Sequence, residues 1–191
     1  MGQPKAWLRM DGEHLLTRLV RLSVEAGANQ VVVVTGSLTD PALVTPAQIQ
    51  ERLPKELAVR VQTTVGRPTH SPIESIREGL NQVPPSHRLL LWPIDCPFAD
   101  SSLLHRLLTS FKSDENYIAR PTFAVKHGHP ILLGQTAHRE LHSSIADHGA
   151  HGVVRRVPNR LIDVRIEDPR LVADLNTPDQ ATALKIELTS R

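Results

Sequence analysis

Residues 89–98 read LLLWPIDCPF. Four apolar residues, Leu89, Leu90, Leu91 and Trp92, run into Pro93-Ile94-Asp95-Cys96-Pro97-Phe98. An apolar run this short, closed by prolines, predicts a strand buried on both faces. Asp95 then falls just past its carboxyl end, where open α/β sheets bind ligands. A carboxylate there is a hard-oxygen ligand suited to Mg²⁺ carrying substrate phosphates. The two prolines stiffen the turn, so the acid is aimed. The plainer reading of the same residues is a turn aspartate that bonds only local backbone N–H groups.

Helical and strand patterns alternate outward from this run. Upstream, residues 15–26 carry a helical stripe of Leu15, Leu16, Leu19, Val20, Leu22 and Val24, with Gly27 placed to cap it. Residues 30–35, QVVVVT, predict a β-branched strand ending at Gly36-Ser37. A short helix is expected over 46–53, a strand over 58–63 and a helix over 72–83 with Ile73, Ile76 and Leu80 inward. Downstream, 101–111 reads as a helix with Asp100 as its cap. Strands follow at 117–120 and 131–133 around a loop at 122–130. Helical turns are expected at 136–146 and 149–156, an alternating strand at 161–166, and a closing helix over 178–188. Such alternation predicts a three-layer α/β/α sandwich with a mostly parallel, Rossmann-like sheet. No repeat or linker divides residues 1–191, so one domain is expected.

The bulk properties exclude several classes. The chain has 191 residues, 40% of them hydrophobic and 3% aromatic, so its core rests on Leu, Val, Ile and Ala. Lys and Arg total 22 against 20 acids. No dense basic run interleaved with aromatics offers a nucleic-acid face. The single cysteine, Cys96, excludes an intrachain disulfide and fits a reducing compartment, hence a cytoplasmic location. No apolar run reaches membrane-span length, and no export signal is legible. The ten histidines are scattered without zinc-site spacing.

A family resemblance emerges at this point. Met1-Gly2-Gln3-Pro4-Lys5, then Leu8, then Asp11-Gly12, resembles the signature loop of the MobA-like nucleotidyltransferases. It is most similar to the molybdenum cofactor cytidylyltransferase branch, whose pattern runs Leu-Ala-Ala-Gly-x-Ser-x-Arg-Met-Gly-x-Pro-Lys. Ser75 in ESIREGL resembles that family's Ser-(Leu/Ile)-x-x-Gly-Leu helix start. Pro93-Ile94-Asp95-Cys96-Pro97 resembles its Asp-x-Pro metal motif, and Gly128-His129-Pro130-Ile131 its Gly-His-Pro loop. Asp174-Leu175-Asn176-Thr177-Pro178-Asp179 resembles its Asp-Ile-Asp-Thr-Pro-Glu-Asp segment. The motifs are short, but they fall in the family's order along the whole chain.

The departure lies at the start. The sequence begins at the motif's methionine, so the family's first strand and the Gly-rich half of its phosphate loop are missing from it. Met1 is read as an internal codon taken for the start; the alternative is a truly shortened chain. In the family's sheet that strand lies between those expected at 31–34 and 89–92. The structure should therefore show a slot there with unpaired backbone groups, or direct pairing of the two. A normal strand from residues 1–8 would contradict this.

The resemblance implies attack of a substrate phosphate on the α-phosphorus of an NTP, with release of pyrophosphate. Charge then builds on phosphate oxygens, so positioning and cations do most of the catalysis. Asp95 would hold Mg²⁺, with Asp174 completing the metal site. Lys5 would be the catalytic cation over the phosphates. Gly2, Lys5, Thr35, Gly36, Ser75 and Asp95 would bind nucleotide; His129, Pro130 and Asn176 would bind the second substrate. Asn176 stands where the cytidylyltransferase branch more often has Asp, and a neutral amide there weakens Mg²⁺ binding. Helix capping is the plainer role for 176–179: Thr177 as cap, Pro178 first in the helix, an acid in the first turn. Cys96 reads as inert packing, with no base partner to activate it.

Three functions compete. The first is a Mg²⁺-dependent transferase, with CTP favoured over GTP, acting on a phosphorylated pterin such as molybdopterin. The second keeps the fold and changes the acceptor to a sugar phosphate or another small acid. The third is a non-catalytic relative that binds a nucleotide or cofactor, or partners a molybdoenzyme.

Overall fold

The structure, a computed structural model, describes residues 4–36, 44–66, 72–111, 115–142 and 158–187. Expectations at Gly2 and Ser37, and those for the turns beyond residue 142, fall partly or wholly outside these residues. Two short strands, β1 (Arg9–Met10) and β2 (Glu13–His14), form a hairpin whose turn takes positive φ at Asp11 and Gly12. Helix α1 (Leu15–Glu25) follows, then β3 (Val31–Thr35), α2 (Pro46–Arg52), α3 (Lys55–Ala58) and β4 (Val61–Val65). Next come α4 (Pro72–Leu80), β5 (Leu89–Leu91), α5 (Ser101–Ser110), β6 (Ile118–Phe123), β7 (Lys126–His127) and β8 (Ile131–Leu133). The last elements are α6 (Gln135–His142), β9 (Leu161–Arg165) and α7 (Pro178–Ala183).

Local chemistry explains most of these boundaries. Asp100 caps α5 by accepting the Leu103 N–H, and capping boxes start α2 (Thr45, Gln48) and α7 (Thr177, Gln180), each with proline in first position. Several expectations shift. The helices expected over 72–83 and 178–188 end at Leu80 and Ala183, the latter two residues before Lys185 at φ 57°. The strand expected over 58–63 lies at Val61–Val65, because Pro54 starts the short α3, which takes up Ala58. Residues 122–130 are not simply a loop. β6 runs on to Phe123 and turns back into β7 through Ala124, at φ 51°.

The pairing is mixed among the described residues, with parallel and antiparallel ladders in one fold. β3 and β4 pair in parallel, as do β6 and β9. β8 runs antiparallel to both β5 and β6, so β5, β6 and β9 point the same way. Helices cover both faces. Leu16 and Val20 of α1 pack with Ile49, Leu53, Leu57 and Val61, while Ile76 and Leu80 of α4 pack with Leu133, Ala137 and Leu141. Helix α5 puts Leu103, Leu104 and Leu107 against Ala119, Leu132 and Val164. Among the described residues no helix is long and apolar enough to cross a membrane.

A slot separates the two sheets. Among the described residues β3 pairs only with β4, and β5 only with β8. Their other edges line one cavity of about 1870 Å³, walled by Leu16, Leu19 and Val20 of α1 on one side and Ile76, Gly79 and Leu80 of α4 on the other. Residues 5–7 form a 3₁₀ turn, and β1 pairs with β2, so neither enters the slot. Among the described residues, then, no strand lies in the slot expected between 31–34 and 89–92. The slot corrects the burial of the starting stretch: Leu89, Leu90 and Leu91 are only half-buried, because one edge of β5 faces the cavity.

His138 on α6 is fully buried, and its Nδ1 lies 2.8 Å from the His87 carbonyl oxygen. A carbonyl only accepts, so Nδ1 carries the proton. Burial, the largest influence, pushes this imidazole below its ordinary pKa, although the carbonyl bond opposes the shift. The native ring stays neutral where the unfolded one takes a proton. The unfolded state then binds more protons, so stability falls as pH drops below ~6.5. Urea midpoints near neutral pH and one unit below that pKa should differ less in His138→Gln than in the parent. Equal differences would remove His138 from the acid response.

Candidate active site

The site is built on the turn after β5. Cys96 N–H donates to the Pro93 carbonyl at 3.1 Å, and the Trp92 indole donates to the Cys96 carbonyl at 2.8 Å. Arg18 of α1 braces the same segment through the Pro97 and Ala99 carbonyls at 3.4 and 3.3 Å. The prolines, an indole and a guanidinium thus fix where Asp95 points.

Asp174 reaches this turn from the far end of the chain. Residues 174–176 alternate exposed, buried, exposed, and Leu175 is fully buried among Leu8, Leu15, Phe98, Ala181 and Ile186. Its N–H donates to the Asp95 carbonyl at 2.7 Å. One apolar side chain and one backbone bond therefore bring Asp174 and Asn176 alongside Asp95. The Cys96 thiol lies between the two acids, 3.2 Å from Asp174 Oδ1 and 3.6 Å from Asp95 Oδ1.

Burial first, then the two neighbouring carboxylates, push the Cys96 thiol far above its ordinary pKa. A thiol held protonated in this way is no nucleophile. Its proton sits between two acids that would otherwise repel each other.

Lys5 completes the cluster. Trp7 is buried, with the Arg52 guanidinium 4.7 Å from its ring centroid, and Leu8 is fully buried. These anchors hold the 3₁₀ turn so that Lys5 Nζ donates to Asn176 Oδ1 at 2.9 Å and lies 3.5 Å from Asp95 Oδ2. Lys5, Asp95, Asp174 and Asn176 thus converge, although 171 positions separate Lys5 from Asn176.

The remaining sequence candidates form two groups. Thr35 ends β3, its hydroxyl 3.4 Å from the Thr64 carbonyl, and its own carbonyl accepts the Gly66 N–H at 3.0 Å. A Cβ on Gly66 would sit 3.0 Å from that carbonyl oxygen and 3.6 Å from Ser75 Oγ, so Thr35, Gly66 and Ser75 share one corner. Gly36 adjoins them, and Ser75 lines the same cavity as Asp95. Gly2 lies outside the described residues.

His129 lines that cavity too, and the peptide to Pro130 is cis. A Cβ at Gly128 would come within 2.6 Å of the Leu171 carbonyl, so glycine alone lets this loop lie against the turn that precedes Asp174.

The structure adds residues that no motif marks. Arg120 on β6 is paired in register with Asp163 on β9, its Nε 2.7 Å from Asp163 Oδ1. The alternation over 161–166 was the available signal, but a strand pattern does not name a partner strand.

The two carboxylates and the Asn176 carbonyl oxygen are hard donors of the kind Mg²⁺ and Mn²⁺ take. Among the described residues no group of three or more His, Cys, Asp or Glu forms a cage for a metal ion. Two protein carboxylates suit a cation that keeps water and substrate phosphate as its other ligands.

The fold is similar to known structures. Rv0371c from Mycobacterium tuberculosis H37Rv matches with TM-score 0.73 and 19% identity, over 96% of this chain and 90% of that one. A manganese complex of the same protein matches with TM-score 0.67 and 21% identity, over 96% and 92%. The 2-C-methyl-D-erythritol 4-phosphate cytidylyltransferase of Thermus thermophilus matches with TM-score 0.63 and 18% identity, over 95% and 92%. Among curated proteins none matches the sequence. The sequence model of one family, described as MobA-like NTP transferase domain, matches residues 1–163. That stretch spans Lys5, Ser75, Asp95 and the loop at 128–130, and the chain belongs to the MobA-like NTP transferase domain family.

Proposed function

We propose that the chain, as one catalytic domain, moves a nucleoside monophosphate from an NTP, CTP before GTP, to the phosphate of a small acceptor. Molybdopterin is the favoured acceptor, and pyrophosphate leaves. The observation that carries this reading is Asp95 and Asp174 flanking one thiol, with Lys5 bonded across to Asn176. The manganese complex of a similar fold supports a divalent cation, Mg²⁺ in this proposal.

A cation held by Asp95 and Asp174 would neutralise nucleotide phosphate oxygens. The side chains do the rest. Lys5 stabilises charge on the transferring phosphate, and its bonds to Asp95 and Asn176 hold it at the mouth of the site. Thr35, Gly36 and Ser75 are assigned to the nucleoside. His129 and Pro130 are assigned to the acceptor, with Asn176 between the two. The Cys96 proton stays where it is. Little acid–base chemistry is needed, because the acceptor phosphate arrives ionised.

The deciding assay measures pyrophosphate release with CTP or GTP, Mg²⁺ or Mn²⁺, and molybdopterin, a sugar phosphate or no acceptor. CTP turnover that requires molybdopterin is expected. Turnover with a sugar phosphate alone would replace the acceptor. Nucleotide binding without turnover would favour the non-catalytic relative, a reading that the open slot beside β5 supports.

A further inference from the structure

The pair Arg120–Asp163 lies at the same end of the molecule as Asp95. β8 is antiparallel to β5 and β6, with Ile131 opposite Leu91 and Leu132 opposite Ala119. Arg120 and Thr122 therefore sit towards the carboxyl end of β5, where Asp95 lies. The Arg120 side chain is 14% exposed, and it lines the large cavity with Asp95, His127 and His129. His127 also lines a second cleft, of about 650 Å³, together with Asp174 and Asn176. One histidine thus joins the Arg120 wall to the carboxylate cluster.

We infer that Arg120, with His127 and Thr122 beside it, is an anion-binding wall that takes a phosphomonoester group of the acceptor. The inference rests on the transferase reading and names a feature of its second substrate. Guanidinium presents a planar fork of donors that matches a phosphate. Nε is committed to Asp163; among the described residues the two Nη groups bond to none. Burial would raise Asp163, but the Arg120 bond and charge, the Thr122 hydroxyl and His127 outweigh it and hold the carboxyl below its ordinary range. Asp163 therefore stays ionised and fixes the fork. Thr122 Oγ1 and His127 Nδ1 lie 3.3 Å apart, and His127 Nδ1 is 3.9 Å from Asp163. One carboxylate faces three cationic or donating side chains, so the wall is donor-rich.

The test titrates the ¹⁵N-labelled full chain with glycerol phosphate, a plain phosphomonoester, and follows side-chain resonances by NMR. The Arg120 Nε–H and His127 ring signals should shift saturably. Arg120→Gln should weaken the probe by at least ~10-fold, the worth of a charge-assisted bond. His127→Gln, at an exposed position, should weaken it about 3-fold. Unchanged affinity in Arg120→Gln, or shifts confined to the surroundings of Lys5, would overturn the inference. If Arg120→Gln unfolds, the same decision falls to His127→Gln. A separate titration of the parent chain with Mn²⁺ and CTP keeps the two readings apart. Its failure removes the transferase reading, whereas loss of the glycerol phosphate response removes only the acceptor wall.

Discussion

Asp95→Asn is expected to weaken Mn²⁺–nucleotide binding and to lower pyrophosphate release by at least ~10²-fold, the scale of losing a key electrostatic group. The fold should barely change. Asp95 is partly exposed, and its contact with Lys5 at 3.5 Å is a screened surface pair. Losing such a pair shifts Tm by only about 2–4 °C in a chain of this size. The substitution also removes one of the two acids facing Cys96, so the thiol pKa should fall towards its ordinary value. Three measurements therefore move in different directions: cation affinity down, Tm nearly constant, thiol reactivity up. Unchanged cation affinity would take Asp95 out of the site. A collapsed Tm would make its role structural.

The second large effect concerns the slot between β3 and β5. Its edges are backbone N–H and C=O rows, and its walls are Val, Leu and Ile side chains. Lys5 lies beside Asp95, at the carboxyl end of β5. A strand added ahead of the chain and leading into Lys5 would thus run parallel to β5. A fusion carrying an apolar strand and then Leu-Ala-Ala-Gly-x-Ser-x-Arg before Met1 should raise Tm by roughly 10 °C. That figure takes several buried side chains at ~1.5–3 kcal/mol each, set against ~1–2 kcal/mol of ordering per residue. The same fusion with aspartate at two apolar strand positions should lose the gain. Identical Tm values for the two fusions would show that the slot takes no strand.

Much of this was legible in the sequence because it rests on local rules. The helix stripe of α1, the Asp100 and Thr177 caps and the β-branched run of β3 follow from spacing and hydrogen-bond chemistry within a few residues. Asp95 stood out as a candidate because prolines and an apolar strand mark a sheet end. What stayed hidden depends on distant partners. The direction of β8 could not be read from three residues, so the mixed pairing was missed. Lys5 bonded to Asn176 was inaccessible to any window of sequence, since a backbone bond at Leu175 makes the approach. Arg120 and Asp163 look like ordinary strand charges until register places them side by side.

The two strand edges left unpaired among the described residues also bear on how the protein must be handled. Exposed edges template pairing with other chains, and natural sheets guard them with charge, proline or bulges. Residues 31–34 and 89–91 carry none of these guards. Their protection is instead architectural. Helices α1 and α4 flank the groove, so no open sheet face is offered for another sheet to stack on. Stacked fibrils are thereby disfavoured, while pairing with an extended segment of another molecule is not. Concentrated samples should accumulate edge-paired dimers, which light scattering would register as a mass increase that reverses on dilution.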